Sequence, residues 1–331
     1  MATMQAEQPK KLAATMKAIR FHAFGGPDVL RCEDVPKPEA RAGEILIRNK
    51  AAGVNPIDWE VRAGYLRDML PARLPMIPGV DVAGIVDIVG DGVSSFRKGD
   101  AVYGFLGAGA DGTWADGTYA QYVAADAAAL APKPQKLDFV QSAAIPLAAI
   151  VGWQTLFDIA NLQPGQSLLI HGASGGVGHM AVQLAKWKGA KVIGTASAKN
   201  ADFVKSLGAD QVIDYHTTRF EDVVHDVDVV LDTQGGDTQR RSYQCLKKGG
   251  ILVSTLVGIE DPGLAAKYGV RATGYLAQPN GSELREIARL ADQNVIRPEV
   301  SKVLPLKDAA KAHTLSETWH TRGKIVLTVS D

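Results

Sequence analysis

Ala173, Gly175 and Gly178 stand at the spacing of a phosphate-cradling glycine loop, between the apolar run Ser167-Leu168-Leu169-Ile170 and the stretch Met180-Ala181-Val182-Gln183-Leu184-Ala185. A strand that turns through such a loop into a helix aims free backbone N–H groups at a pyrophosphate. The three positions allow a tight turn, close approach of backbone to phosphate, and contact between helix and strand. A second cue lies further along. A unit that holds a ribose 2′-hydroxyl places Asp or Glu about 20 residues past the loop, but here that place reads Thr195-Ala196-Ser197-Ala198. No carboxylate occurs between Gly178 and Lys199, and the first acid beyond is Asp202. Lys199 puts a cation there, and a charge-assisted bond to phosphate contributes about 1.5 to 3 kcal/mol. About 1.4 kcal/mol is tenfold in affinity, so one or two such contacts favour NADPH over NADH.

The loop needs a sheet to hold it. Apolar runs recur after it at Lys191 to Ala196, Gln211 to Tyr215, Val227 to Asp232 and Gly250 to Thr255, and Arg271 to Ala277 can add a sixth strand at one edge. Between them lie helix-compatible stretches, Ala201 to Leu207 closed by Gly208 and Asp237 to Lys248 closed by Gly249-Gly250. This alternation predicts an α/β fold with a doubly wound parallel sheet of the Rossmann type.

The chain has 331 residues, 46% of them apolar, which is long for one domain. Met16 to about Ala128 reads as a mostly antiparallel β unit, with runs such as Glu44 to Arg48 and Val82 to Val86 between Gly, Pro and Asp turns. Leu137 to Leu156 reads as a helical lead-in interrupted at Pro146, and the terminal strand Arg322 to Val329 finds no place in the parallel unit, so it returns to the first domain. The expected partition is a disordered extension over 1–15, a substrate domain over 16–128 and 279–331, and a nucleotide domain over 129–278. The cleft between the two domains is then the ligand site.

Thirty-six basic and 36 acidic residues balance without a long block of one sign, which gives no support to nucleic-acid or membrane-surface binding. Cys32 and Cys245 form neither a disulfide framework nor a CxxC pair. A reduced, cytoplasmic setting is expected, with no targeting signal in the polar first 15 residues.

From Met16 onward the chain resembles the medium-chain dehydrogenase/reductases, in their quinone oxidoreductase or zeta-crystallin-like branch. The resemblance is carried by Met16-Lys17-Ala18-Ile19-Arg20, Gly26-Pro27-Asp28-Val29-Leu30, Ala52-Gly53-Val54-Asn55-Pro56-Ile57-Asp58, Pro78-Gly79-Val80-Asp81, Gly99-Asp100-Ala101-Val102-Tyr103 and the loop Ser174 to Gly178. It implies that the first domain is GroES-like and that the protein is a homodimer, joined through the edge strand around Thr273 to Leu276. Zinc alcohol dehydrogenases of the superfamily bring a Cys and a His-Glu pair to the catalytic metal. Here Asn55-Pro56 and Val80-Asp81 stand at those places, the four cysteines of the separate lobe are absent, and the seven histidines (His22, His171, His179, His216, His225, His313, His320) form no cluster at ligand spacing.

Without a metal to polarise a simple ketone, quinones and conjugated enones are the favoured acceptors, because their incoming charge delocalises. The resemblance implies that NADPH binds at Ser174, Gly175, Gly176, Val177 and Gly178, with its 2′-phosphate met by Ser197, Lys199, Asn200 and Tyr215. It also implies that Val151 and Thr255 lie near the nicotinamide and that Lys324 touches the cofactor. Asn55 matches the family asparagine beside nicotinamide and substrate, Asp58 follows at the family spacing, and Tyr65 is the best nearby phenol for protonating the product. Glu60 departs from the lysine that enone reductases often show, which weighs toward a quinone. The expected activity is therefore zinc-independent quinone reduction by NADPH. The alternatives are an enone double-bond reductase of the same fold, a saturated-alcohol dehydrogenase, and a structural or regulatory protein that binds NADPH without useful turnover.

Overall fold

The computed structural model describes residues 14–69, 73–107, 116–256 and 258–330. Two large sheets organise the chain. The first has six parallel strands in the order Gln211–Asp214, Lys191–Ala196, Ser167–Ile170, Val227–Asp232, Leu246–Ser254, Arg271–Gly274. The order reverses beside Ser167–Ile170, and the crevice at the carboxyl ends of the strands at such a reversal is where a ligand lies. The central strands are buried on both faces, as their near-continuous Val, Leu and Ile content requires.

The second sheet has seven strands. Its path runs Val300–Pro305, Lys324–Thr328, Glu44–Val54, Asp81–Val89, Ala101–Phe105, Leu130–Pro132, with Tyr122–Asp126 also on Glu44–Val54. All pairs are antiparallel except Val300–Pro305 with Lys324–Thr328. The terminal strand thus returns to the first unit, laying Ile325 opposite Val54. Leu130–Pro132 belongs to this sheet, so the antiparallel unit continues a few residues beyond the expected boundary at 128/129. A two-stranded ribbon, Thr15–Arg20 with Arg31–Pro36, completes the β structure. Thr15 already pairs with Pro36 there, and residues 1–13 of the expected extension lie outside the described residues.

Helix Pro146–Trp153 joins the two halves. It packs on Gly176–Trp187 and on Gly281–Asp292, the latter capped by Asn280 and burying Leu284, Ile287, Leu290 and Ala291. Pro146 occupies the first turn, where its missing N–H costs nothing, so the expected interruption starts a helix.

Several element bounds differ from the sequence reading. The helix expected to run to Lys248 is Gly236–Ser242, and the next strand begins at Leu246. Tyr243, Cys245 and Leu246 are buried beside Phe220 and Val227, and Lys247 pairs with Asp228. That burial outweighs the helical propensity of the stretch. The third strand stops at Asp214 and the sixth at Gly274.

Candidate active site

One cleft of about 1460 Å³ runs between the two sheets. A single small-ligand pocket is typically about 300 to 1,000 Å³, so the cleft has room for a dinucleotide and a second molecule.

Its floor is the glycine loop. The chain leaves Ile170, passes Gly172 at φ +64°, and enters helix Gly176–Trp187 through Gly175. The left-handed turn falls at Gly172, not at Ala173 as the spacing suggested. A Cβ on Gly178 would lie 2.2 Å from the Gly172 carbonyl oxygen and 2.8 Å from Ala173 Cα, so helix and turn touch there without room for a side chain. Ser174, Gly175, Gly176, Val177 and Gly178 all line the cleft at this helix N-terminus. Its donors and its glycine cradle fit a dinucleotide pyrophosphate.

At one end of the cleft, Lys199 is exposed and carries no ion pair among the described residues. Asn200 is nearly buried beside it, its amide donating to Ser174 Oγ at 3.2 Å and Ser197 Oγ at 3.3 Å. Tyr215 is exposed on the same wall, just after the third strand. Two cations not singled out from sequence, Arg219 and Arg241, also line the cleft. Glu221 binds both, Arg219 at 2.8 Å and Arg241 at 2.7 Å. A salt bridge can form only after folding, so no local spacing announced them.

Toward the other end the wall includes Val151, on helix Pro146–Trp153, and Thr255, whose N–H donates to the Asp232 carbonyl at 2.9 Å. Asn55 and Lys324 meet here. Asn55 precedes helix Pro56–Ala63, and Lys324 opens the terminal strand. The Lys324 ammonium donates to Val54 O at 2.9 Å and to Asn55 Oδ1, and lies 3.4 Å from Asp81 Oδ2. Asn55 Nδ2 donates to the same Asp81 oxygen at 2.8 Å. An ammonium only donates and a carboxylate only accepts, so this pairing fixes the amide orientation. Asn55 itself lines the cleft. Asp81 Oδ1 accepts from Leu147 N at 2.8 Å, which ties the carboxylate to the helix carrying Val151. Burial raises the Asp81 pKa, and the Lys324 charge opposes that shift.

Asp58 is fully buried and does not line the cleft. Its Oδ2 accepts from Asn55 N at 2.8 Å and from the Tyr119 hydroxyl at 2.9 Å, while Oδ1 has no partner. Desolvation pushes its pKa up to about 7. Behind Tyr119 stands His313, with Nε2 at 3.3 Å from the hydroxyl, and behind that Arg62, with Nη1 at 3.4 Å from His313 Nδ1. Arginine only donates, so Nδ1 accepts and Nε2 carries the proton. This imidazole is neutral, its pKa pushed down to about 3 by burial and by Arg62. The network ends at Glu317, 2.6 Å from Arg62 Nη2. Asp58 therefore holds the Asn55 backbone through a buried network that the sequence reading did not contain.

Tyr65 is 75% exposed on the cleft wall, edge-on to Trp59 at 6.1 Å between centroids. Trp319 also packs edge-on with Trp59, at 5.6 Å between centroids. Among the described residues there is no group of three or more His, Cys, Asp or Glu that could hold a metal, and no helix long and apolar enough to cross a membrane.

Comparison with known proteins agrees with this geometry. Residues 41–135 match the alcohol dehydrogenase GroES-like domain, and residues 207–327 match the zinc-binding dehydrogenase family. The chain is 34% identical to the quinone oxidoreductase of Rattus norvegicus, over 94% of this chain and 96% of that one. It is 33% identical to an NADPH-dependent alkenal/one oxidoreductase of Arabidopsis thaliana, over 98% of this chain and 81% of that one. The quinone oxidoreductase structure from Coxiella burnetii superposes with a TM-score of 0.86 at 39% identity, covering 96% of this chain and all of that one. The Escherichia coli quinone oxidoreductase complexed with NADPH gives 0.84 at 32% identity, covering 94% and 99%. The GroES-like sheet, the nicotinamide-dinucleotide fold and these relatives together make the chain an oxidoreductase of the medium-chain dehydrogenase/reductase superfamily, in its quinone oxidoreductase branch.

Proposed function

We propose that the protein reduces quinones with NADPH and works without zinc. The observation that carries this reading is the buried contact of Lys324 with Asn55 and Asp81. A zinc site needs three soft or borderline ligands free to turn to the metal. At the corresponding places stand an amide and one carboxylate, both already engaged by an ammonium, and a dication would meet that buried positive charge. These residues do not fit the metal.

They fit the stabilisation of an oxygen. NADPH supplies the hydride. Asn55, locked by Lys324 and Asp81, directs its remaining amide proton at the acceptor oxygen on which negative charge develops. Asp58 acts as a positioning residue through the Asn55 backbone, and the Tyr65 phenol or solvent returns the proton that completes the hydroquinone. Ser174, Gly175, Gly176, Val177 and Gly178 hold the pyrophosphate, and Ser197, Lys199, Asn200 and Tyr215 hold the 2′-phosphate. Val151 and Thr255 flank the nicotinamide. We place the substrate domain at 16–132 with 279–331 and the nucleotide domain between them, in a cytoplasmic homodimer. The free thiols of Cys32 and Cys245 agree with a reducing compartment.

The test is loss of NADPH absorbance, with NADH in parallel, against a quinone, a conjugated enone and an alcohol–ketone pair. Quinone turnover with NADPH alone is expected. Faster turnover of the enone moves the substrate, toward the activity named for the Arabidopsis relative. Activity on the alcohol–ketone pair only overturns the zinc argument.

A further inference from the structure

The charged side chains on the cleft wall are unevenly distributed. Lys199, Arg219 and Arg241 line it near the 2′-phosphate position, but Glu60 is the sole carboxylate on its wall among the described residues. Glu60 sits on helix Pro56–Ala63, the helix that Asn55 precedes, and shares its part of the wall with Ile57, Tyr65 and Leu66. It is half-buried, and its carboxylate has no ion-pair or hydrogen-bond partner among the described residues. Two cations near it in the fold are committed elsewhere. Lys324 is bound to Asn55 and Asp81, and Arg62, on the same helix, turns to Glu317 and to the Gly25 carbonyl. Burial raises the Glu60 pKa with no cation opposing it.

A half-buried carboxylate without a partner adds no ion pair to the fold, and for a neutral ligand it costs little. For an anion it is a like charge at close range with no counter-ion to share. We infer that Glu60 is a specificity residue, restricting the acceptor to neutral or cationic quinones and enones and excluding those that carry a carboxylate, sulfonate or phosphate. The inference rests on the reductase reading of the cleft.

The experiment compares wild type with Glu60→Gln and Glu60→Lys at pH 8, above the ordinary imidazole range. The acceptors are 9,10-phenanthrenequinone and its 2-sulfonate, with NADPH. The readout is the ratio of kcat/KM for the neutral over the sulfonated quinone, which cancels their intrinsic difference in reactivity once the variants are compared. This ratio is expected to fall by about tenfold or more in Glu60→Gln and further in Glu60→Lys, since about 1.4 kcal/mol of repulsion is tenfold. A merely structural role would lower both activities and leave the ratio unchanged, which overturns the inference.

Should neither quinone nor enone be reduced, the reductase reading fails by itself and charge selection is read from binding. Trp319 lines the cleft and is half exposed, so quenching of tryptophan fluorescence by the two quinones, in protein loaded with NADP+, reports their affinities. A sulfonate that binds Glu60→Gln about tenfold more tightly than wild type supports the selection. Equal affinity overturns it.

Discussion

In the proposed NADPH reading, the choice of cofactor turns on Lys199. It stands exposed at the end of the second parallel strand, unpaired among the described residues, with no carboxylate between it and Gly178. Lys199→Ala is expected to weaken NADPH by about tenfold and leave NADH nearly unchanged, as read by fluorescence titration. Equal losses for both would sink the phosphate role. Asp58 makes a different prediction, in stability. Unfolded, its carboxyl titrates near 3.9, and in the fold burial moves it to about 7. Between these values the folded state holds the extra proton, so this group's contribution weakens the fold as pH rises from about 4 to about 7 and is constant above. In Asp58→Asn that dependence disappears. The Tm of the variant relative to wild type should therefore be highest at pH 8 and fall steadily toward pH 5, and a pH-independent difference would refute the assignment. The place of Lys199 on the cleft wall was legible because it depends on distance along one strand–loop–helix unit. Asp81, Tyr119 and His313 were not, because Asn55 lies 26 positions from Asp81 and 269 from Lys324, and Tyr119 lies 61 from Asp58 and 194 from His313.

At the scale of elements, the glycine loop is a packing constraint as much as a binding site. Gly178→Ala would force a Cβ to 2.2 Å from a backbone oxygen that has little freedom to retreat. Overpacking of this kind costs about 1 to 3 kcal/mol, and the displaced loop should lose dinucleotide affinity by about tenfold or more. Gly175→Ala is the control, since its Cβ would approach the Gly172 oxygen only to 3.3 Å. Because Gly175 belongs to the phosphate cradle, it is a control for stability only: calorimetry of both variants should rank Gly178→Ala as much the less stable, and a reversed order would show that the loop adapts. The strand–helix alternation of this unit was readable because each strand is a short apolar run bounded by breaks. The end of the helix at Ser242 was not. Tyr243, Cys245 and Leu246 leave the helical path because their burial beside Phe220 and Val227 is available only once the sheet exists.

For the whole molecule, the parallel sheet ends in Arg271–Gly274, which pairs on one side only among the described strands. A second copy pairing there would extend the sheet and remove an open edge. Light scattering should then return twice the 35.1 kDa of the chain, and a monomer at micromolar concentration would remove the homodimer. By itself the sequence determined the parallel sheet, the glycine loop, the strand that returns to the first unit and the cation at Lys199, because period, spacing and turn chemistry act over a few neighbouring residues. Only the tertiary structure decided what Asn55 can do. It brings Lys324 from the end of the chain and Asp81 from a neighbouring strand against one amide, and it leaves Glu60 bare on the wall of the same cleft. Those outcomes depend on which side chains reach one another across the packed sheets, and residue spacing along the chain does not encode that distance.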